Sequence, residues 1–284
     1  MKNRQIIGLI ILLCGLILIC IPFASMIMED FSQINSETAY SNYLQTKNID
    51  SKRIINQLAE TTLEASAVQD IFTQDRESAE NQESPYETLI DTSTVVGQVV
   101  IPKLGQNFDL YLDADYDKLN KGVATLIGSG APTGITGQRP IIAGHRVSYS
   151  NPFFFFIPNL ESGDKIFVTM LDQTLEYEVY SKEIIDEYEI DKLAPIPNQD
   201  IITLMTCDNA PEYNKRYLIN ARRVISNQEA KAPPTSIITL LTQSDANLSL
   251  KTFRLLPYFI VIFAMLSIGY FSTILLKIFT KNNN

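Results

Sequence analysis

Two uncharged runs, Ile6 to Met28 and Leu255 to Leu276, stand apart from the mixed pattern of the rest of the chain. At 1.5 Å per residue, either is long enough as a helix to cross a hydrocarbon core of roughly 30 Å. Between them the pattern changes character. From Glu29 to about Gln82 it is helical: Ile54, Leu58, Thr61, Ala65, Val68 and Phe72 recur at spacings of 4, 3, 4, 3 and 4, which places them on one face. That stripe predicts a helix packed against the rest of the domain. Gln74 to Pro85 is rich in Gln, Glu and Ser and reads as a loop. Farther on, short β-rich runs are separated by Gly, Pro, Asn and Asp. Strands are predicted at Val95 to Leu104, Phe108 to Leu112, Pro140 to Ala143, Lys165 to Met170, Leu175 to Ile185, Ile201 to Thr206 and Tyr217 to Ile225. Short strands at this density indicate an antiparallel sandwich or barrel. Pro152 to Phe156 predicts a helical turn plugging one end of that core. Ser226 to Asn247, with Pro233 and Pro234, predicts a tether to the second apolar run.

This pattern divides the chain into an N-terminal anchor (1–28), a helical extension (29–85), a β-rich domain (86–226), a linker (227–254) and a second apolar helix with a short tail (255–284). Lys2 and Arg4 precede the first run, and Glu29 and Asp30 follow it. The positive-inside rule therefore puts the N-terminus in the cytoplasm and the middle of the chain outside. Lys277 and Lys281 return the C-terminus to the cytoplasm, while Lys251 and Arg254 on the outer side pull the other way. A cleaved signal peptide is the alternative for the first run, with Phe23-Ala24-Ser25 a poor cleavage site and the run long for a signal peptide. Either way the β-rich domain is exported, and the expected location is the cell membrane, crossed twice, with that domain extracytoplasmic.

Composition narrows the chemistry. The net charge is −9 and only 19% of residues are charged, with no Lys/Arg-rich block, so nucleic acid is not an expected partner. Cys14 and Cys20 lie in the first apolar run, leaving Cys207 as the sole thiol of the exported domain and ruling out a disulfide within it. His145 is the sole histidine. One His and one exported Cys cannot build a zinc site, and no phosphate-cradling glycine loop is present, so neither metal nor cofactor is expected. Asp113 to Asp117 superficially resembles a calcium loop but lacks the turn Gly and the closing Glu; it reads as a solvated turn.

Cys207, His145 and Arg216 each fall at the end of a predicted strand, where functional groups sit on a rigid scaffold. Together they suffice for acyl transfer: a thiol nucleophile, an imidazole to move the proton, and a guanidinium to donate to an oxyanion. Each alone has a structural reading, as a buried apolar Cys or a hydrogen-bonded His. The Gln-Ala-Cys-x-Gly motif is missing, and the papain order of Cys before His is reversed.

Thr203-Leu204-Met205-Thr206-Cys207 resembles the TLxTC signature of sortases, with Arg216 at the position of that family's arginine and Ala143-Gly144-His145-Arg146 at its histidine segment. The resemblance runs through Val96 to Leu104, Gly122-Val123, Gly128 to Pro132 and Gly163-Asp164, covering about Tyr86 to Arg223. It implies an eight-stranded β-barrel and a cell-surface cysteine transpeptidase of Gram-positive bacteria. Such an enzyme cleaves LPXTG-like sorting signals between Thr and Gly and passes the acyl group to an amine. It further implies Cys207 as nucleophile, His145 as general acid and base, Arg216 as stabiliser of the oxyanion or bound motif, and Thr206 in contact with the substrate.

The helical extension together with a second apolar run resembles class C, the pilin-polymerising sortases, and implies pilins as substrates with a pilin lysine as acceptor. The alternatives are attachment of single LPXTG-type surface proteins to a peptidoglycan precursor, or a non-catalytic wall-assembly binding module. Class C enzymes carry a lid motif, Asp-Pro-aromatic. The nearest match is Asp70-Ile71-Phe72, with Ile71 in place of the proline. Losing that fixed φ leaves two readings open, a lid loop over the thiol with Asp70 on Arg216, or the end of the helix with Phe72 continuing the stripe.

Overall fold

The computed structural model describes residues 2–47, 50–61, 68–75, 84–146, 154–226, 230–233, 237–242, 246 and 248–280, without the side chains of 2, 3, 29–47, 237–239 and 279. The chain divides into two units. One comprises Met1–Phe31 and Asn247–Asn284 with Tyr149–Asn151, and the other Ser32–Ser148 and Pro152–Ala246.

In the first unit the apolar runs are helical. Helix α1 spans Lys2–Lys47 and the last helix, α5, spans Leu248–Thr280. Within them, Arg4–Met28 and Leu248–Ile278 are long and apolar enough to cross a membrane. Helix α5 begins seven residues ahead of the apolar run at Leu255, so Lys251 and Arg254 belong to the helix and not to the linker.

In the second unit, β1 (Gly97–Ile101), β2 (Gln106–Tyr111), β3 (Val123–Thr125), β4 (Ile141–Ala143), β5 (Lys165–Met170), β6 (Gln173–Asp186), β7 (Ile201–Asp208) and β8 (Lys215–Arg223) close into a barrel of order β1-β2-β3-β4-β7-β8-β6-β5. Two pairings, β2 with β3 and β4 with β7, are parallel, which corrects the expectation of a wholly antiparallel sheet. Strand β3 has no predicted counterpart, since its short Val-Ala-Thr run is defined by its pairing with β2 and β4. Pro102 ends β1 early: Pro102–Leu104 form a 3-10 turn, since proline lacks the amide the ladder needs.

The interior is filled by alternate residues of every strand, including Val99, Leu110, Ile142, Val168, Val179, Leu204 and Ile219, each fully buried. At Gly97 the backbone of β5 lies close against β1, and a Cβ there would overlap the Thr169 carbonyl oxygen. Gly97→Ala is expected to destabilise the barrel by more than about 3 kcal/mol, read as a lower urea midpoint.

The helical extension is not continuous. Helix α2 (Ser51–Glu60) starts at Asp50, whose carboxylate accepts from the Arg53 amide, and ends at Thr61. Its buried face is Ser51, Ile55 and Leu58, so Leu58 keeps its place in the predicted stripe while Ile55 is buried in place of Ile54, which is half-buried. The barrel holds its end through the Gln138 amide, which donates to the Ala59 carbonyl. Ala65 lies outside the described residues, and Val68 and Phe72 belong to a separate segment that is not α-helical.

Of the predicted aromatic plug, Pro152 and Phe153 lie outside the described residues. Phe154 is fully buried, edge-on to Phe108 with centroids 5.4 Å apart, while Phe155 stays exposed. The tether contains a short helix, α4 (Ile237–Thr242). The turn at Asp113 is not solvated as expected. Asp113 is 3% exposed, accepts from the Ser84 hydroxyl, and precedes helix α3 (Tyr116–Leu119), which Asp115 caps through the Lys118 amide. A side chain pinned by a partner on the preceding segment cannot stay in water.

Candidate active site

The barrel topology itself brings the strand-end residues together. In the parallel pair β4–β7, Ala143 is opposite Met205, and the ladder continues as the Gly144 amide donates to the Met205 carbonyl at 3.0 Å. Two residues further along each strand are His145 and Cys207. Because side chains alternate with period two, both project to the same face. In the antiparallel pair β7–β8, Cys207 is directly opposite Arg216. The sheet thus sets imidazole, thiol and guanidinium in a row across three adjacent strands.

Thr206, for which the resemblance implies a contact with the substrate, is placed differently from Cys207. It is fully buried on the opposite face, and its hydroxyl donates to the Gly144 carbonyl at 2.8 Å. That bond ties β7 to β4 one residue ahead of both Cys207 and His145. On the same far side, Arg146 reaches toward Asp208 at 3.7 Å, with its guanidinium carbon 5.8 Å from the Tyr217 ring centroid and 5.9 Å from that of Phe155.

The segment Asp70-Ile71-Phe72 lies over this row. Asp70 is 2% exposed and accepts from Arg216 Nε at 2.5 Å. Phe72 reaches the two ends of the row: its ring centroid is 5.7 Å from that of His145 and 5.6 Å from the Arg216 guanidinium carbon. Without proline, the turn is shaped by Asp70, which caps the 3-10 turn Ile71–Thr73 by accepting from the Phe72 amide at 2.9 Å. Ile71 adds an apolar anchor, 2% exposed, in a cluster with Val68, Leu119, Met205 and Leu218. The Tyr116 hydroxyl closes the far end by donating to the Gln74 carbonyl at 3.0 Å. Asp70 pairs with Arg216, as the first of the two sequence readings has it, and the segment Ile71–Thr73 is a 3-10 turn and not the end of an α-helix.

Covering changes the acid–base chemistry. Burial pushes the Cys207 thiol from 9.0 up to about 11, with the charges of Asp70 and Glu187 adding to the rise and those of Arg216 and Arg146 opposing it. Burial alone lowers the basicity of His145 below the usual 6.5. Burial also raises the Asp70 carboxyl, against the pull of Arg216 and the Phe72 amide. With burial pushing the thiol up and the imidazole down, both shifts disfavour the thiolate–imidazolium pair in the covered state. The arrangement can perform acyl transfer, and the covered form biases thiol and imidazole toward their neutral forms.

Sequence reasoning missed Glu187, which receives Arg216 Nη2 at 3.2 Å, and Tyr116. Glu187 is one of four carboxylates between Asp186 and Asp191, and nothing local marks it. Among the described residues no group of His, Cys, Asp and Glu is arranged to hold a metal.

The sortase domain family model matches residues 99–224. Sortase A of Listeria monocytogenes is 29% identical over 216 residues, which cover 76% of this chain and 89% of that protein. The crystal structure of sortase C-3 from Streptococcus pneumoniae is 31% identical, covering 68% of this chain and 90% of that one with a TM-score of 0.56. Another Streptococcus pneumoniae structure, a sortase C described for its catalysis and pilin substrate specificity, shares the fold at 22% identity and TM-score 0.59, over 66% of this chain and 96% of that one. The chain belongs to the sortase family, and its barrel is the sortase fold. It is therefore a cysteine transpeptidase, of the kind that acts on surface proteins carrying an LPXTG-like sorting signal.

Proposed function

We propose that this sortase polymerises pilins, with Cys207 as nucleophile, His145 as general acid and base, and Arg216 as the donor to the oxyanion. The observation that carries the reading is the Asp70–Arg216 pair with Phe72 against His145, a cover of the form expected for class C. The likeness to sortase C-3 supports the same class. The charges around the two apolar helices favour both termini in the cytoplasm and the barrel outside, where its substrates are tethered.

The reaction has two halves. Cys207 Sγ, its proton having passed to His145, attacks the Thr carbonyl carbon of the sorting signal, and the carbonyl oxygen takes up the electron pair as an oxyanion facing Arg216. The C–N bond to Gly then breaks as His145 gives the leaving amine its proton, leaving a thioester. An incoming lysine amine attacks that thioester, His145 takes the proton back, and the thiolate is expelled. The Phe72 ring occupies the face that the substrate must reach, so a sorting signal has to displace the segment first.

Offering the full-length protein an LPXTG-type peptide with two competing acceptors tests the acceptor class. One acceptor is a peptide with an internal lysine, and the other is a peptidoglycan-type stem with its cross-bridge amine. The product of the lysine acceptor is expected to dominate the mass spectrum. Dominance of the cross-bridge product would move the function to attachment of single proteins to the wall, a role the likeness to a sortase A favours.

A further inference from the structure

Arg216 presents a problem of supply. It is 1% exposed, and a guanidinium has five N–H donors. Nε donates to Asp70, Nη1 to the carbonyls of Tyr213 at 2.7 Å and Lys215 at 3.1 Å, and Nη2 to Glu187 at 3.2 Å. Four of the five are engaged in the covered state, so the donor a substrate gains when the cover leaves is Nε.

The partners differ in where they are rooted. Asp70 belongs to the segment ahead of the barrel and departs with the cover. Tyr213, Lys215 and Glu187 belong to the barrel and stay. Glu187 follows directly on β6, and its amide donates to the Asn214 carbonyl at 3.1 Å, which fixes it against the turn between β7 and β8. The loop after it is anchored as well: buried Arg139 donates to the Lys192 carbonyl at 2.6 Å and to Thr203 and Asn220 on β7 and β8 at 2.9 Å. Once Asp70 leaves, Glu187 is the remaining carboxylate bonded to Arg216. A guanidinium left without a counter-ion at so buried a position swings toward water.

We propose that Glu187 is a positioning residue: it holds the Arg216 guanidinium against the β7–β8 turn when the cover is displaced, so that the vacated Nε–H faces the acyl group. This rests on Arg216 being the oxyanion donor. Glu187 and Asp70 thus divide the guanidinium between a permanent and an exchangeable anion.

The test uses the full-length protein in detergent with Asp70→Ala and Phe72→Ala as background, to which Glu187→Gln, Glu187→Ala or Arg216→Ala is added. The charged groups acting on Cys207 in that background are Arg216, Glu187 and Arg146. Glutamine keeps an oxygen for Nη2 but removes the charge, so Arg216 stays and the pH profile of Cys207 alkylation by iodoacetamide moves to lower pH. Alanine releases Arg216, so the profile moves to higher pH. With an LPXTG-type peptide, kcat is expected to fall tenfold or more for Glu187→Ala and less than threefold for Glu187→Gln, with KM within twofold in both.

General loosening of the loop would not move the two profiles in opposite directions. If both variants shift the profile downward and kcat stays unchanged while Arg216→Ala abolishes turnover, Glu187 acts only as a charge and the proposal is wrong. If Arg216→Ala retains turnover, the reading of Arg216 fails, and the proposal that rests on it fails too.

Discussion

Replacing Asp70 and Phe72 together by alanine is expected to raise the rate of Cys207 alkylation by iodoacetamide at pH 7.5 by about ten- to a hundredfold. The reagent reacts with the thiolate, and below the pKa the thiolate fraction grows tenfold for each unit by which the pKa falls. Burial and the Asp70 charge are two causes that hold the thiol up at about 11 instead of 9.0. The double variant removes the second outright and part of the first, so the pKa moves down and the rate at fixed pH moves up. Phe72 also shields the face shared with His145, so access improves in the same direction. The turnover of an LPXTG-type peptide is expected to rise with it. An unchanged alkylation rate, with the barrel folded, would mean that something other than this segment covers the thiol.

In that uncovered background, Arg216→Lys is expected to lower kcat by about 10²- to 10³-fold, the usual cost of losing an oxyanion donor. Lysine keeps the charge but cannot reproduce the geometry. The guanidinium spans the Tyr213 and Lys215 carbonyls on one side and Glu187 on the other, and still presents Nε. A single ammonium reaches at most part of this set. Because the positive charge persists beside Cys207, alkylation by iodoacetamide is expected to change much less than turnover. A kcat within threefold of the parent would show that charge alone suffices and that the bonded geometry is dispensable.

The strand ends were legible in the sequence because Cys207, His145 and Arg216 sit where β-rich runs meet turn residues. What the sequence could not supply was the parallel register of β4 and β7, which aligns Ala143 with Met205 and hence His145 with Cys207. That register joins strands separated by two others, and no local pattern encodes it. The same limit explains β3, three residues whose pairing with β2 and β4 is decided by the barrel's closure.

The segment at Asp70 was legible by motif but not by period. Val68 and Phe72 fit the helical spacing begun at Ile54, yet helix α2 ends at Thr61. Their burial comes from the cluster around Met205 and Leu218 instead. Periodicity reports which side chains are apolar, and a stripe that crosses from a helix into a turn keeps its rhythm without keeping its structure. Glu187 was illegible for a related reason. Only the pairing with Arg216 distinguishes it from Asp186, Glu189 and Asp191.

In the proposed reaction Cys207 carries the acyl group of a sorting signal. Intact mass spectrometry of the Asp70→Ala, Phe72→Ala protein after incubation with an LPXTG-type peptide tests it most directly. The expected product is an adduct equal to the peptide without its Gly-terminal part, absent in Cys207→Ala and released by hydroxylamine as a thioester is. A folded protein whose thiol alkylates readily but acquires no such adduct, while the peptide is still cleaved, would contradict it.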